Sequence, residues 1–185
     1  MRTIKTTAIS ILALGLLAGS AIGVAAQDES AAEVTTFTGT FSMDGEELPL
    51  ETTSEPLPNG LVEGSPGFAW SNRMESSDPR FTGDHTVIAN WVLGPDGFDA
   101  WETGGEPDMI MSNVHTLTND EGSWLGEGRS FSSTELDLAS GDVVAFVGQD
   151  GYEGLTAYVL MELDTFSGVI FPAAMPAVPE PYAAE

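Results

Sequence analysis

The sequence holds few side chains that could do chemistry, and a histidine is the strongest of them. His115 lies in the segment 109–118, where alternation along a strand places it on one face with Met111, Asn113 and Leu117. Histidine is the usual acid or base near neutral pH. If this face lines a cavity, His115 is the best single candidate for a polar group in an apolar pocket, with Asn113 and Met111 beside it. The alternative is a histidine that faces solvent or is satisfied in the core.

A second group of candidates combines an arginine with a carboxylate. Arg129 and Glu127 share one face of the segment 123–132 with Leu125 and Phe131. Inside a barrel, Arg129 would need a carboxylate partner and could hold a ligand carboxylate in a bidentate manner. On the outside, the same pair would be a surface ion pair of little energy. The hydroxyl of Tyr158 is a further group that could orient a ligand.

Recognisable catalytic and metal-binding motifs are absent from the sequence. It has no cysteine, which excludes disulfides, thiol nucleophiles and thiolate metal sites. It also lacks the zinc, serine-nucleophile, phosphate-loop and dinucleotide motifs. Two acidic stretches, 78–84 and 142–153, have oxygen ligands suited to calcium but lack the EF-hand spacing. We therefore predict neither a metal nor a cofactor.

The first 26 residues have the three parts of a secretory signal peptide. Arg2 and Lys5 supply the positive head, residues 8–18 the apolar middle, and small residues lead to Ala26. The alternative is a membrane anchor, but the apolar run is short for a bilayer span of about 20 residues. We therefore expect cleavage near Ala26 and a secreted, extracytoplasmic protein without stable membrane insertion.

The remaining chain would be strongly acidic. It keeps three basic residues, Arg73, Arg80 and Arg129, against 29 acidic ones, a formal net charge of 3 − 29 = −26. Such a surface repels nucleic acid and anionic lipid and attracts cations or a basic partner. Because the acids are spread along the chain, the simpler interpretation is solubility, which would suit a saline habitat.

The pattern of elements predicts an all-β domain over residues 34–171. It follows a leader over 27–33 and precedes a Pro- and Ala-rich tail over 172–185. Most of 43–67 is predicted to be a long loop, and whether that loop is a lid stays open. A second loop is predicted over 134–142. The predicted strands, separated by turn residues, are 34–41, 68–75, 85–93, 98–103, 109–118, 123–132, 143–149, 152–163 and 166–171.

Sequential strands joined by short turns favour a single antiparallel, up-and-down barrel of eight strands, with a β-sandwich as the alternative. Two aromatic-x-Gly patterns, at Trp124–Gly126 and Tyr152–Gly154, also favour a barrel. An aromatic ring over a glycine on the same face allows a strand to bend.

Three segments and the strand that follows them carry a resemblance to a known fold. Residues 77–83, 119–126 and 148–155 resemble a group of uncharacterised exported bacterial proteins and, more distantly, the allene oxide cyclase and dirigent barrels of plants. The resemblance covers roughly residues 73–163 and consists of glycines and aromatics. It implies an eight-stranded antiparallel barrel with a cavity, often oligomeric, that can hold a small apolar molecule. It transfers no catalytic residue.

Three functions are compatible with the sequence. We expect first a secreted barrel that binds a small apolar or amphipathic ligand. The alternatives are an isomerase or cyclase acting on a lipid-like substrate, and a structural or adhesive module of the cell envelope. A filled, dry interior would favour the last of these, whereas a cavity is required by the first two.

Overall fold

The computed structural model describes residues 33–179, apart from 43–44, 52, 96–98, 101–102, 104–107, 135–137 and 163. The chain divides into two compact units, residues 1–31 and 32–185, and the described residues all lie in the second. The predicted signal peptide, all of the leader except Glu33, and the end of the tail therefore lie outside the described residues. In the described part of the chain, no helix is long and apolar enough to cross a bilayer.

The described residues of the domain form ten strands and one 3-10 turn. The strands are β1 (Thr35–Phe41), β2 (Glu46–Glu47), β3 (Ser54–Pro56), β4 (Val62–Ser76), β5 (Gly83–Leu93), β6 (Met109–Thr118), β7 (Gly122–Ser133), β8 (Leu138–Asp150), β9 (Thr156–Glu162) and β10 (Thr165–Phe171). The 3-10 turn, Pro79–Phe81, lies between β4 and β5.

Eight of these strands close a ring. From β4 to β10 each strand pairs antiparallel with the next along the chain, and β1 pairs with both β10 and β4. The all-β, eight-stranded antiparallel prediction is confirmed. The ring is uneven, with three residue pairs between β1 and β4 against ten between β5 and β6, so both a barrel and a flattened, sandwich-like description fit it. The short strands β2 and β3 pair with β4 outside the ring.

Strict alternation sorts the side chains of the central strands into an inner and an outer face. In β7, every second residue from Trp124 to Ser132 is buried, and the residues between them are exposed. The inner face is fully apolar in one region, where the main core cluster forms around Trp124, Phe146, Phe81 and Phe166. The interior is therefore packed on that side.

The 3-10 turn inserts an aromatic ring into this core. Asp78 caps the turn, since its carboxylate accepts from the backbone N–H of Arg80 at 3.0 Å and pairs with the Arg80 guanidinium at 2.6 Å. The hydrogen bond from Arg80 also holds the pKa of Asp78 below its usual value. With the turn held in this way, Phe81 is buried. The indole N–H of Trp124 donates to the Arg80 carbonyl at 2.8 Å and ties the turn to β7.

Glycines make room for aromatic rings, although the predicted pairing of Tyr152 with Gly154 is wrong. Gly126 lies against Phe146 of the neighbouring strand, at 2.6 Å from where a Cβ would be. Tyr152 stacks on Trp124 with ring centroids 5.2 Å apart, and Gly154 has positive φ in a turn with no atom near its Cβ position. The aromatic-over-glycine contacts thus join different strands.

Two predicted loops are partly strand. The region predicted as a long loop, 43–67, contains β2, β3 and the start of β4, which begins at Val62 and carries an irregularity between Gly64 and Phe68. The loop predicted over 134–142 is wrong from Leu138 onward, because β8 begins there and pairs with β7.

Two predicted strands also need correction. β9 begins at Thr156, because residues 151–154 form a turn. Across this turn the Gly148 amide donates to the Leu155 carbonyl at 3.0 Å. The predicted strand 98–103 lies partly outside the described residues. Its last amide, on Thr103, donates to the Asp99 carbonyl at 3.1 Å, a four-residue turn spacing that no extended strand has, so this prediction is wrong.

Candidate ligand-binding site

A cavity of about 410 Å³ occupies the interior of the ring beside the packed core. We call it the ring cavity. Seven of the eight ring strands contribute to its wall. The lining residues are Phe41, Phe68, Trp70, Asn72, His85, Val87, Met111, Asn113, His115, Ser130, Gly141, Asp142 and Met161.

Strand register explains why polar groups from distant parts of the sequence meet here. One row of paired residues runs across four strands: Met111 pairs with Ser130, Ser130 with Asp142, and Asp142 with Met161. All four face inward because paired residues on adjacent strands share a face. The carboxylate of Asp142 therefore lies on the same interior wall as the polar residues of β6.

The two histidines form a buried hydrogen-bonded chain with an asparagine. The Nδ1 atom of His85 lies 2.8 Å from Oδ1 of Asn72, and its Nε2 atom lies 2.9 Å from Nδ1 of His115. The two imidazole rings stack at 5.2 Å with an interplanar angle of 20°. Only 1% of the His115 surface is exposed.

Burial keeps both histidines neutral. It lowers the pKa of His115 to about 4. The pKa of His85 is lowered to about 3, mainly by burial. His115 lowers it further, and Asp142 partly opposes the decrease. Both values lie well below pH 7, so neither ring carries a charge at neutral pH.

Neutrality fixes the direction of the hydrogen bonds. Because Oδ1 of Asn72 is an acceptor, Nδ1 of His85 carries the proton and its Nε2 has a lone pair. That lone pair accepts from the Nδ1–H of His115. The second nitrogen of His115, Nε2, is then left as an unprotonated acceptor.

Several polar atoms of the cavity wall have no hydrogen-bond partner among the described residues. They are His115 Nε2, both amide atoms of Asn113, Ser130 Oγ and Asp142 Oδ1. A buried polar atom without a partner costs about 1–3 kcal/mol. A molecule inside the cavity could form hydrogen bonds with these atoms.

None of the residues that line the cavity is basic. Arg73 pairs with Glu75 at 2.7 Å and with Asp84 at 3.1 Å, and Arg80 pairs with Asp78. These are exposed or turn contacts. Beyond Lys5 the sequence has only one other basic residue, Arg129.

The structure divides the six sequence-predicted site residues into two sets. His115, Asn113 and Met111 line the ring cavity. Arg129 and Glu127 are exposed on the outer face of β7, so the alternative in which they point into the ring is wrong. The Nη1 of Arg129 donates to the carbonyl of Gly128 at 2.6 Å.

Tyr158, the sixth predicted residue, is also outside the cavity. It is 41% exposed on the outer face of β9, and its hydroxyl lies 3.0 Å from the Met175 sulfur. The prediction that this hydroxyl orients a ligand in the barrel is wrong for this reason.

Sequence reasoning missed four polar residues of the wall: Asn72, His85, Ser130 and Asp142. His85 precedes Val87 by two residues, and alternation alone places both on the inner face of β5. Asp142 was hidden by the prediction of a loop over 134–142. Asn72 and Ser130 carry no signal beyond their parity in the strand.

We expect Gly128→Ala to damage the cavity without disrupting the core. A Cβ at Gly128 would overlap Oδ1 of Asn113, so the amide must move. Overpacking of this kind costs about 1–3 kcal/mol, measurable by urea unfolding. Gly141→Ala, whose nearest neighbour is 3.4 Å from the Cβ position, is the control and should cost less. Equal losses for both variants would contradict the contact.

A comparison with family models, curated proteins and solved structures finds no match to this chain. The resemblance to allene oxide cyclase and dirigent barrels therefore stays a prediction.

Proposed function

We propose that the protein is an exported, acidic binding protein that holds a small amphipathic molecule in the ring cavity. One observation carries this proposal: an interior cavity of about 410 Å³ has a mostly apolar wall with a few buried, unpartnered polar atoms. Small-molecule sites have volumes of about 300–1,000 Å³ and this same mixture of lining groups. Export is proposed from residues 1–26 alone.

The apolar part of the wall indicates the body of the ligand. Phe41, Phe68, Trp70, Val87 and Met161 supply rings and aliphatic groups. Burying apolar ligand surface against them is favourable by about 25 cal/mol per Å². The polar atoms of the opposite strands would then select and orient a head group.

An isomerase or cyclase is the second candidate, supported by the hydrogen-bonded chain from Asn72 through His85 to His115. This chain leaves Nε2 of His115 as a proton acceptor. A general base works best when its pKa is near the working pH, whereas burial lowers the pKa of His115 to about 4. His115 is therefore a weak base, and binding is favoured over proton transfer.

No observation favours the third candidate, the structural or adhesive module. That function requires no cavity, and a dry, filled interior would have been its signature. The ring cavity has polar atoms that such a module would not need.

Binding can be tested with the neutral fluorescent probe N-phenylnaphthylamine. Trp70 lines the cavity, so a bound probe should quench tryptophan emission through Trp70. We expect saturable binding at one site, with the quenching strongly reduced in Trp70→Phe. Solvent extraction of protein purified from its native source, followed by mass spectrometry, would identify a co-purifying ligand.

A cavity-filling variant provides the matched control. Ser130→Phe places a ring in the cavity and should weaken probe binding by at least about tenfold, equivalent to 1.4 kcal/mol. Ser112→Phe makes the same change on the exposed face of β6 and should leave affinity within twofold. An equal effect of the two variants, or no saturable binding by the wild type, would refute the proposal.

A further inference from the structure

The hydrogen-bonding groups of the ring cavity indicate which chemical class of ligand fits it. Its unpartnered atoms are mainly acceptors: Nε2 of His115 has a lone pair, Asp142 offers a carboxylate oxygen, and Asn113 an amide oxygen. The donors are the amide N–H₂ of Asn113 and the hydroxyl of Ser130, which can also accept. A ligand that only accepts hydrogen bonds would leave most of this wall unsatisfied.

The charges in and around the cavity disfavour an anionic ligand. Asp142 is an acidic side chain of the wall, both histidines are neutral at pH 7, and no lining residue is basic. A ligand carboxylate would face Asp142 without a counter-ion. Burying an unpaired charge near a like charge costs several kcal/mol. Fatty-acid-like anions are therefore disfavoured.

A cationic head group can supply hydrogen-bond donors and avoids repulsion by Asp142. An ammonium group has three N–H donors and no acceptor, which matches the acceptor character of the wall. Its charge would pair with Asp142, and the cavity is also lined by Trp70 and Phe68, whose aromatic rings can attract a cation. The large negative charge of the protein would also concentrate cations near its surface.

We propose that the ligand of the ring cavity is an amphipathic primary amine. Its ammonium group donates to the Asp142 carboxylate, while its apolar body lies against the aromatic wall. This inference rests on the proposed function, because it names the ligand class of the same site.

Four octyl compounds with different head groups separate the possibilities. Octylamine, octyltrimethylammonium, octanol and octanoate each compete with bound N-phenylnaphthylamine at pH 7 in 1 M salt, where the Debye length of about 3 Å suppresses attraction by distant charges. We expect octylamine to bind at least about tenfold more tightly than octanol, a difference of 1.4 kcal/mol. Octyltrimethylammonium should be weaker than octylamine because it has no N–H, and octanoate should be weakest.

Asp142→Asn tests the anchor, and Glu127→Gln is its matched control. Both remove one negative charge, but Glu127 is exposed on the outer face. Asp142→Asn should abolish the preference, so that octylamine binds no more tightly than octanol in the same variant. Glu127→Gln should change neither affinity.

Other results would contradict the amine inference, the binding proposal or both. If the probe binds but the head groups compete equally, or octanoate binds best, the amine inference is wrong and the binding function stands. The inference is also wrong if Asp142→Asn keeps the full amine preference. If the probe shows no saturable binding, both claims fail. The wild-type order of head groups decides the question even if Asp142→Asn does not fold.

Discussion

Replacement of Phe81 by alanine is expected to lower the free energy of unfolding by about 3–5 kcal/mol, the cost of removing a fully buried phenylalanine. The Phe81 ring has 0% exposure. Its centroid lies 4.6 Å from that of Phe37, 5.0 Å from Phe146, 5.5 Å from Trp124 and 6.0 Å from Phe166. No single strand can close over the resulting void, because these four rings come from four different strands.

The loss should appear as a lower midpoint of urea unfolding, with the far-ultraviolet spectrum of the folded state unchanged. Phe131→Ala is the matched control, since Phe131 is 53% exposed on the outer face of β7. Exposed positions change stability by about 0.5 kcal/mol or less. A loss under about 1 kcal/mol for Phe81→Ala would mean that the ring is not the centre of the core.

Stability is expected to fall steeply with acid because of the two buried histidines. In the folded state the pKa of His85 is about 3 and that of His115 about 4, both below the ordinary value of 6.5. The unfolded chain binds protons that the folded chain does not. The stabilisation is therefore complete above pH 6.5 and is lost as the pH falls from there toward the folded values. Each histidine contributes a limiting slope of about 1.4 kcal/mol per pH unit.

The clearest window is about pH 5 to 6.5, where most carboxylates still carry their charge. Urea unfolding at several pH values measures the slope, and the histidine signals in NMR titration report the folded-state pKa values. The double variant His85→Gln, His115→Gln should flatten the slope in this window. If the histidines titrate near pH 6.5 in the folded protein, their burial as a neutral pair is wrong.

Most strands were predicted from the alternation of inward and outward residues. The errors came from segments rich in turn residues. β6 was predicted with the observed bounds, Met109–Thr118, because its alternation is uninterrupted and a clear turn follows it. The start of β8 was missed because the segment 138–142, with its serine, glycine and aspartate, reads as a loop, while its pairing with β7 makes it a strand. Such pairing is a long-range property that local patterns do not contain.

The site was half predictable for a related reason. His115, Asn113 and Met111 were placed together by alternation, and the structure puts all three at the ring cavity. The alternative that placed Arg129 inside the ring rested on its parity with Leu125 and Phe131, two apolar residues that would ordinarily face a core.

In β7 the inner positions are instead held largely by small residues. Gly126 leaves space for the Phe146 ring, and Gly128 leaves space for the Asn113 amide. The sequence of β7 alone gives no sign of these neighbours, because they come from β8 and β6. Small inner residues beside large partners can therefore invert the apparent hydrophobic face of a strand.

The pairing of β1 with β10 and β4, which closes the ring, affects the order of folding. Strands β4 to β10 each pair with the next strand in sequence, so they can assemble by successive local hairpins. β1 has no such neighbour: it joins β10 through pairs such as Thr35 with Ile170, and β4 through only three pairs. Contacts between distant residues form slowly, since the intervening chain must first be ordered. During synthesis the pairs between β1 and β10 cannot form until the last strand has been made, so the ring cannot close before then.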